Sequence, residues 1–242
     1  MKLTDISEFK DVESYKEMVN TINDNIKGRV ALNPHLQATH FLYVVKELMG
    51  ENCKTLLEIG TLWGGALITM MQSKYDTKFV SIDTFNGFYP ELLGEGNTDE
   101  VAGHEDGINT IEKVSKNVND NNPHQHNFDL VEGSSHDEKV INHIKDICPT
   151  VDLLFIDGDH TKKGVLQDWK DYSNLVSKGG LVIFDDYWTD EYEHAAWRKT
   201  FDDGTKWMDI VGAVSEIRNS DGFSDKWKLV GLINDKFIIE RI

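Results

Sequence analysis

Apolar residues recur along this chain in two rhythms. Before residue 50 they fall at helical spacing: Tyr15, Met18, Val19 and Ile22, then Phe41, Val44, Val45, Leu48 and Met49. Gly50 is placed to stop the second of these helices. After it, short and strongly apolar runs alternate with helical stretches. Strands are predicted over 54–59, 78–83, 128–132, 151–156 and 180–184, with helices over 66–73, 108–118, 136–147 and 163–176. Lys178-Gly179-Gly180 reads as the stop of the last of these helices. Strands alternating with helices predict a parallel sheet covered on both faces. The tail changes character. Trp207, Ile210, Val211, Val214 and Ile217 predict one more helix, and Trp227 to Arg241, turning at Asn234-Asp235, predict a β-hairpin. Residues 1–50 are expected to form a helical extension that covers one end of the sheet or makes a dimer contact, and 51–242 the α/β domain. Residues 84–106 are too long and polar for an ordinary connection and predict a lid or substrate loop.

Composition narrows the class. The 242 residues are 39% hydrophobic and 28% charged, as in a globular domain. No apolar stretch approaches the roughly 20 residues of a membrane helix. The N-terminus has no basic start followed by an apolar segment, so no signal peptide and no membrane partner are expected. A formal net charge of −17 argues against nucleic acid, whose phosphates draw on Lys and Arg. Cys53 precedes the first strand and Cys148 ends a helix, which argues against a structural disulfide and for a reducing cytoplasm.

The candidate chemistry sits directly after the predicted strands. In open α/β sheets that edge binds ligands. The first turn reads Glu58-Ile59-Gly60-Thr61-Leu62-Trp63-Gly64-Gly65. It departs from G-x-G-x-x-G because Leu62 holds the second glycine position, which leaves no room for a pyrophosphate. Glu58 would also repel a pyrophosphate and would favour a cationic ligand. The plain alternative is a tight turn without a ligand. Asp83 ends the second strand, where a carboxylate can accept from a ribose diol; otherwise it caps Phe85 or Asn86. Ser134 and Ser135 follow the third strand and suit a purine edge or a helix N-cap.

Two acidic clusters follow the fourth and fifth strands: Asp157-Gly158-Asp159-His160 and Asp185-Asp186-Tyr187. One Asp after a strand is usually a cap. A set of carboxylates gathered at one edge repels itself unless a cation lies among them, and a divalent, oxygen-preferring ion is the simplest candidate. His160 is placed to take a proton from a substrate hydroxyl. Asp159 is expected to cap the helix that begins near Lys162, and Asp168 to serve structure. His124 and His126 sit in a polar stretch and are expected to be solvated, while His104 is a candidate for substrate contact. Trp188 is a candidate wall of the substrate pocket, with Trp197 and Trp207 expected in the core.

Taken together, Leu57-Glu58-Ile59-Gly60 with Gly64-Gly65, Asp83, Phe155-Ile156-Asp157-Gly158-Asp159-His160, and Gly179-Gly180 leading to Asp185-Asp186 resemble class I S-adenosylmethionine-dependent methyltransferases. Within them the chain is most similar to the metal-dependent O-methyltransferases of the macrolide-sugar and cephalosporin-biosynthesis type. The resemblance covers roughly residues 52–190. It implies a Rossmann-like, doubly wound, mostly parallel seven-stranded sheet ending in an antiparallel hairpin. It implies that Gly60 and its turn (Glu58, Thr61, Gly64) meet the methionine portion of S-adenosylmethionine, that Asp83 holds the ribose and that Ser134 or Ser135 lies on the adenine side. Asp157, Asp185 and Asp186 match the magnesium ligands, Asp157 also lining the cofactor site, and His160 matches the general base. The relatives often carry Glu where this chain has the shorter Asp185. The expected partner is a small-molecule hydroxyl acceptor, a sugar or a natural-product moiety, with a homo-oligomer built through the N-terminal helices. The rival readings are an NAD-dependent oxidoreductase, disfavoured by the missing glycine and by Glu58, and a non-catalytic cofactor-binding protein.

Overall fold

The computed structural model describes residues 12–30, 39–86, 107–187, 204, 206 and 208–242. Its strands are β1 (Thr55–Ile59), β2 (Lys78–Asp83), β3 (Phe128–Glu132), β4 (Val151–Ile156), β5 (Val176–Phe184), β6 (Trp227–Ile233) and β7 (Lys236–Arg241). They form one seven-stranded sheet in the order β3-β2-β1-β4-β5-β7-β6. The pairs β1/β4, β2/β3 and β4/β5 are parallel, while β7 runs antiparallel to both β5 and β6. The helices are α1 (Val12–Asn25), α2 (His40–Met49), α3 (Gly65–Met71), α4 (Ile111–Asp120), α5 (Glu138–Ile147), α6 (Lys162–Tyr172), α7 (Ile210–Arg218) and α8 (Phe223–Lys226). The predicted alternation and closing hairpin are therefore present. Among the described residues no helix is long and apolar enough to cross a membrane.

The chain packs as two compact units, described separately. The first holds α1, α2, α3, β2, α4 and β3. Val19 and Ile22 on α1, and Val44, Val45 and Met49 on α2, are buried at the predicted helical spacing, while Leu42 is buried and the expected Phe41 and Leu48 are half-buried. Lys46 on the same helix is fully buried, its ammonium lying over the Tyr75 ring at 5.7 Å from the centroid. Trp63 is completely buried, and Gly28, with φ +79, packs its backbone against the Trp63 ring. His126 corrects the expectation of a solvated side chain. It is 6% exposed, its Nε2 meets the Ser73 carbonyl at 2.8 Å, and burial lowers its pKa.

The second unit holds β1, β4, β5, β6, β7 and the helices from α5 onward. Leu153 to Ile156 on β4 and Leu181 to Phe184 on β5 are all buried, as expected for strands covered on both faces. The structure corrects the start of β5. Helix α6 ends at Tyr172, a short 3-10 turn covers Ser173–Leu175, and the strand begins at Val176 rather than after the glycine pair. Val176 is fully buried and pairs with Val151. The register then shifts before Leu153 meets Leu181, so Lys178-Gly179-Gly180 is a bulge within a strand, not a helix stop. Asp152 fastens this start, accepting from the Ser177 hydroxyl at 2.6 Å and from the Thr55 N–H at 3.1 Å. Cys53 and Cys148 are buried thiols.

The Gly28 packing gives a direct test. A methyl group there would overlap the Trp63 ring and sit on left-handed backbone. Gly28→Ala is expected to cost about 2–4 kcal/mol. Thermal unfolding should fall by about 5–15 °C, and an unchanged melting temperature would contradict the packing.

Candidate active site

The glycine turn is held from beneath by Asp83, the last residue of β2. Its Oδ2 accepts from the backbone N–H groups of Thr61 and Leu62, both at 2.8 Å, and its Oδ1 accepts from the Phe85 N–H at 2.8 Å. The turn-capping alternative is thus present: Oδ2 accepts two N–H groups, and the N–H groups of Phe85 and Thr84 also meet the carboxylate. Burial pushes the Asp83 carboxyl up, and the N–H groups of Phe85, Leu62 and Thr61 pull against that shift. Other polar groups lock the same turn. The Thr61 and Ser81 hydroxyls lie 2.6 Å apart, Asn109 Nδ2 donates to the Leu62 carbonyl at 2.9 Å, and Asn117 Nδ2 donates to the Trp63 carbonyl at 3.0 Å. Gly64 takes a left-handed φ of +86 and precedes the first residue of α3.

Gly60 and Glu58 belong to the second unit. Glu58 is fully buried within β1. Gly60 has φ +91, and a Cβ there would overlap the Asp157 carbonyl oxygen. Only glycine lets the chain turn so close to the end of β4. Ser135, placed on the adenine side by resemblance, donates its hydroxyl to Asp168 Oδ1 at 2.7 Å, and its carbonyl accepts from the Tyr172 hydroxyl at 2.6 Å. His136 Nε2 lies 3.1 Å from the same Asp168 oxygen. Asp168 is therefore a fully buried anchor of α6, as expected. The N-cap of α5 is Asp137, not either serine.

The two acidic clusters come together. β4 and β5 are parallel neighbours with Ile156 opposite Phe184, so Asp157 and Asp185 are each the first residue beyond adjacent strands. The Asp185 N–H donates to the Ile156 carbonyl at 3.0 Å, and the Asp157 N–H to the Ile59 carbonyl at 2.8 Å. His160 Nε2 lies 3.4 Å from Asp157 Oδ1 and 3.1 Å from Asp186 Oδ2, placing the imidazole between the two clusters. Oxygen and nitrogen atoms of Asp157, His160 and Asp186 all lie within 4.8 Å of one another, as do those of Asp185, Asp186 and Asp235. Thr161, not Asp159, caps α6, accepting from the Gly164 N–H at 3.0 Å. Asp159 instead braces Thr161 by accepting its N–H at 2.8 Å.

Two residues of this cluster carry no obvious signal in the sequence. Lys236 Nζ donates to Asp185 Oδ1 at 2.6 Å and to Asp235 Oδ1 at 3.0 Å. The Tyr187 N–H donates to the Asp235 carbonyl at 2.7 Å, tying the hairpin turn to the segment after β5. Asn234-Asp235 reads as turn chemistry alone until β7 is known to lie antiparallel beside β5, which brings the start of β7 to the end of β5. His104, Trp188, Trp197, Trp207 and most of the 84–106 loop lie outside the described residues.

Electrostatics follow from this crowding. Burial, then the Asp186 charge, raises the Asp157 carboxyl. Burial and the charges of Asp157, Asp235 and Asp186 raise Asp185 well above the usual carboxylate range against the pull of Lys236. For His160, burial favours the neutral ring, but hydrogen bonds and charge from Asp157 and Asp186 outweigh it and lift the pKa well above 6.5. Because the folded value exceeds the unfolded one, this pairing stabilises the fold below about pH 6.5. The contribution is lost as pH rises through the folded value. In EDTA-treated protein the His160 ring proton resonance should therefore titrate well above pH 6.5, and Asp186→Asn should move the midpoint down. A midpoint at or below 6.5 in the parent would refute the bridged geometry.

Comparison with known proteins places this architecture. A family model described as a methyltransferase domain matches residues 57–187. An uncharacterized protein of Acanthamoeba polyphaga mimivirus is 32% identical over 166 residues, which span 69% of this chain and 64% of that relative. The solved O-methyltransferase from Bacillus cereus in complex with SAH is similar with a TM-score of 0.58 at 16% identity, covering 100% of this chain and 97% of that one. The O-methyltransferase NovP is similar with a TM-score of 0.58 at 19% identity, over 96% of this chain and 99% of that one. MycE methyltransferase of the mycinamycin pathway, solved with Mg and SAH, is similar with a TM-score of 0.52 at 15% identity, over 96% of this chain and 54% of that one. The chain belongs to the methyltransferase-domain family and has the fold of the class I S-adenosylmethionine-dependent O-methyltransferases.

Proposed function

We propose that the protein transfers the methyl group of S-adenosylmethionine to a hydroxyl of a small molecule, a sugar or a natural-product moiety, with a magnesium ion at the aspartate clusters. The observation that carries the reading is His160 lodged between Asp157 and Asp186 at the ends of two adjacent parallel strands. The donor set fits the ion, since hard divalent cations take carboxylate oxygens and this set is mostly carboxylate. The similar Bacillus cereus enzyme was solved with SAH, and MycE with Mg and SAH.

S-adenosylmethionine supplies an electrophilic methyl on sulfur. A bound magnesium ion would lower the acceptor hydroxyl's pKa and fix its oxygen. The chain's own residues do the rest. Asp83 holds the turn at Thr61 and Leu62 rigid, and a ribose diol would meet its carboxylate in competition with the backbone N–H groups it already accepts. Gly60 lets the backbone approach the methionine portion, and Ser134 or Ser135 borders the adenine. Asp157 and Asp186 hold the His160 proton while they face the imidazole alone. Asp157 and Asp186 would hold the ion, and His160 Nε2, which lies between them, would accept the acceptor's hydroxyl proton as the oxygen takes the sulfonium methyl and S-adenosylhomocysteine leaves. Positioning and charge neutralisation contribute most of the acceleration. A cytoplasmic location and a homo-oligomer formed through α1 and α2 complete the proposal.

Calorimetric titration with S-adenosylhomocysteine tests the cofactor half. Asp83→Asn should weaken binding at least about tenfold, roughly the loss of one charge-assisted hydrogen bond. Unchanged affinity would remove Asp83 from the site. A screen of sugar, catechol and polyketide acceptors tests the catalytic half. His160→Ala should lower turnover by about 10²–10⁴-fold with little change in S-adenosylhomocysteine affinity. Asp157→Ala should abolish the EDTA-sensitive activity, and an Asp157→Ala protein with full, EDTA-insensitive turnover would sink the metal role.

A further inference from the structure

The four carboxylates beyond β4, beyond β5 and in the hairpin turn are not equivalent. Asp157 and Asp186 face one imidazole, that of His160. Asp185 and Asp235 face one ammonium, that of Lys236, at 2.6 and 3.0 Å. Lys236 is 4% exposed, and its position is fixed by the pairing of β7 with β5, where Phe237 lies opposite Phe184. An ammonium carries its charge throughout the neutral range and presents its donors from a single point. It cannot diffuse away as a bound ion can. The Asp185 oxygen that meets Lys236 is also held by its neighbour: Oδ1 accepts the Asp186 N–H at 2.9 Å, so both contacts occupy the same oxygen.

We propose that Lys236 is the built-in cation of the Asp185–Asp235 half. A divalent ion is then held through Asp157 and Asp186, and Asp185 anchors Lys236 rather than ligating the ion. The inference rests on the metal-dependent reading above and alters its ligand set. It also assigns Lys236 a role in specificity. Oxygens of Asp185, Asp186 and Asp235 lie within 4.8 Å of one another, close enough to hold a second ion. The ammonium fills that place, so the site takes one ion where its acids alone would take two. Lys236 is thus a positioning residue, acting on the ion through the carboxylates it occupies.

Titration of the full-length chain with Mn²⁺, counting bound ions by electron paramagnetic resonance, tests this. The parent should bind one ion and Lys236→Met one ion more. A Lys236→Met protein that folds and binds the same number as the parent overturns the proposal. Lys236→Met leaves buried charge without a counterion and can fail to fold, so the charge-balanced Asp185→Asn/Lys236→Met double variant is measured beside it. Its affinity for the first ion should stay within about threefold of the parent, whereas Asp186→Asn should weaken it at least about 30-fold, as expected for losing a ligand. A double variant as weak as Asp186→Asn overturns the proposal. If the parent binds no Mn²⁺, the metal-dependent reading fails by itself. The assignment of Lys236 is then supported by one ion gained in Lys236→Met and overturned by none.

Discussion

Like charge crowded into a sparingly hydrated place governs the second unit of this protein. Two parallel neighbours, β4 and β5, end together, and each is followed at once by aspartate. A pair of like charges about 4 Å apart repels by about 4 kcal/mol at an effective dielectric near 20. Several such pairs would be comparable to the whole stability of a domain. Cationic groups that reach the cluster from elsewhere in the fold offset this repulsion, together with the raised carboxyls of Asp157 and Asp185. The imidazole comes from the entry to α6 and the ammonium from the first residue of β7. The closing hairpin therefore does more than cover an edge of the sheet, since it also balances the charge beyond β5.

The first unit solves a different problem with different means. Its glycine turn is shaped by hydrogen bonds to backbone rather than by charge balance. Asp83, Asn109 and Asn117 each bind a main-chain group of the Thr61–Trp63 segment. Leu62, which sits where a dinucleotide-binding turn would have glycine, is held at φ +50 in this way. The departure from the dinucleotide pattern is thus a built feature of the turn, in keeping with membership of the methyltransferase-domain family.

Much of the fold and part of the site can be read directly from residue patterns. Apolar runs such as Leu153 to Ile156 and Leu181 to Phe184 announce strands buried on both faces, and their common direction brings Asp157 and Asp185 together. Local propensity misleads where tertiary pairing decides. Lys178-Gly179-Gly180 has the chemistry of a helix end, yet Val176 is drawn into the sheet by Val151 and the glycines become a bulge. His126 sits in a polar sequence but is buried against Phe79 and the Ser73 carbonyl. Lys236 is hidden for a stronger reason. Its partners lie 51 residues away or in a turn, and no local pattern records that β7 inserts between β5 and β6.

The grip of Asp83 on its turn has an evolutionary corollary. It fastens main-chain N–H groups at positions 61 and 62, which every amino acid except proline supplies. The bond at 62 therefore survives a change of side chain, and what restricts drift there is the left-handed backbone at φ +50, which glycine or asparagine adopts more easily than a β-branched residue.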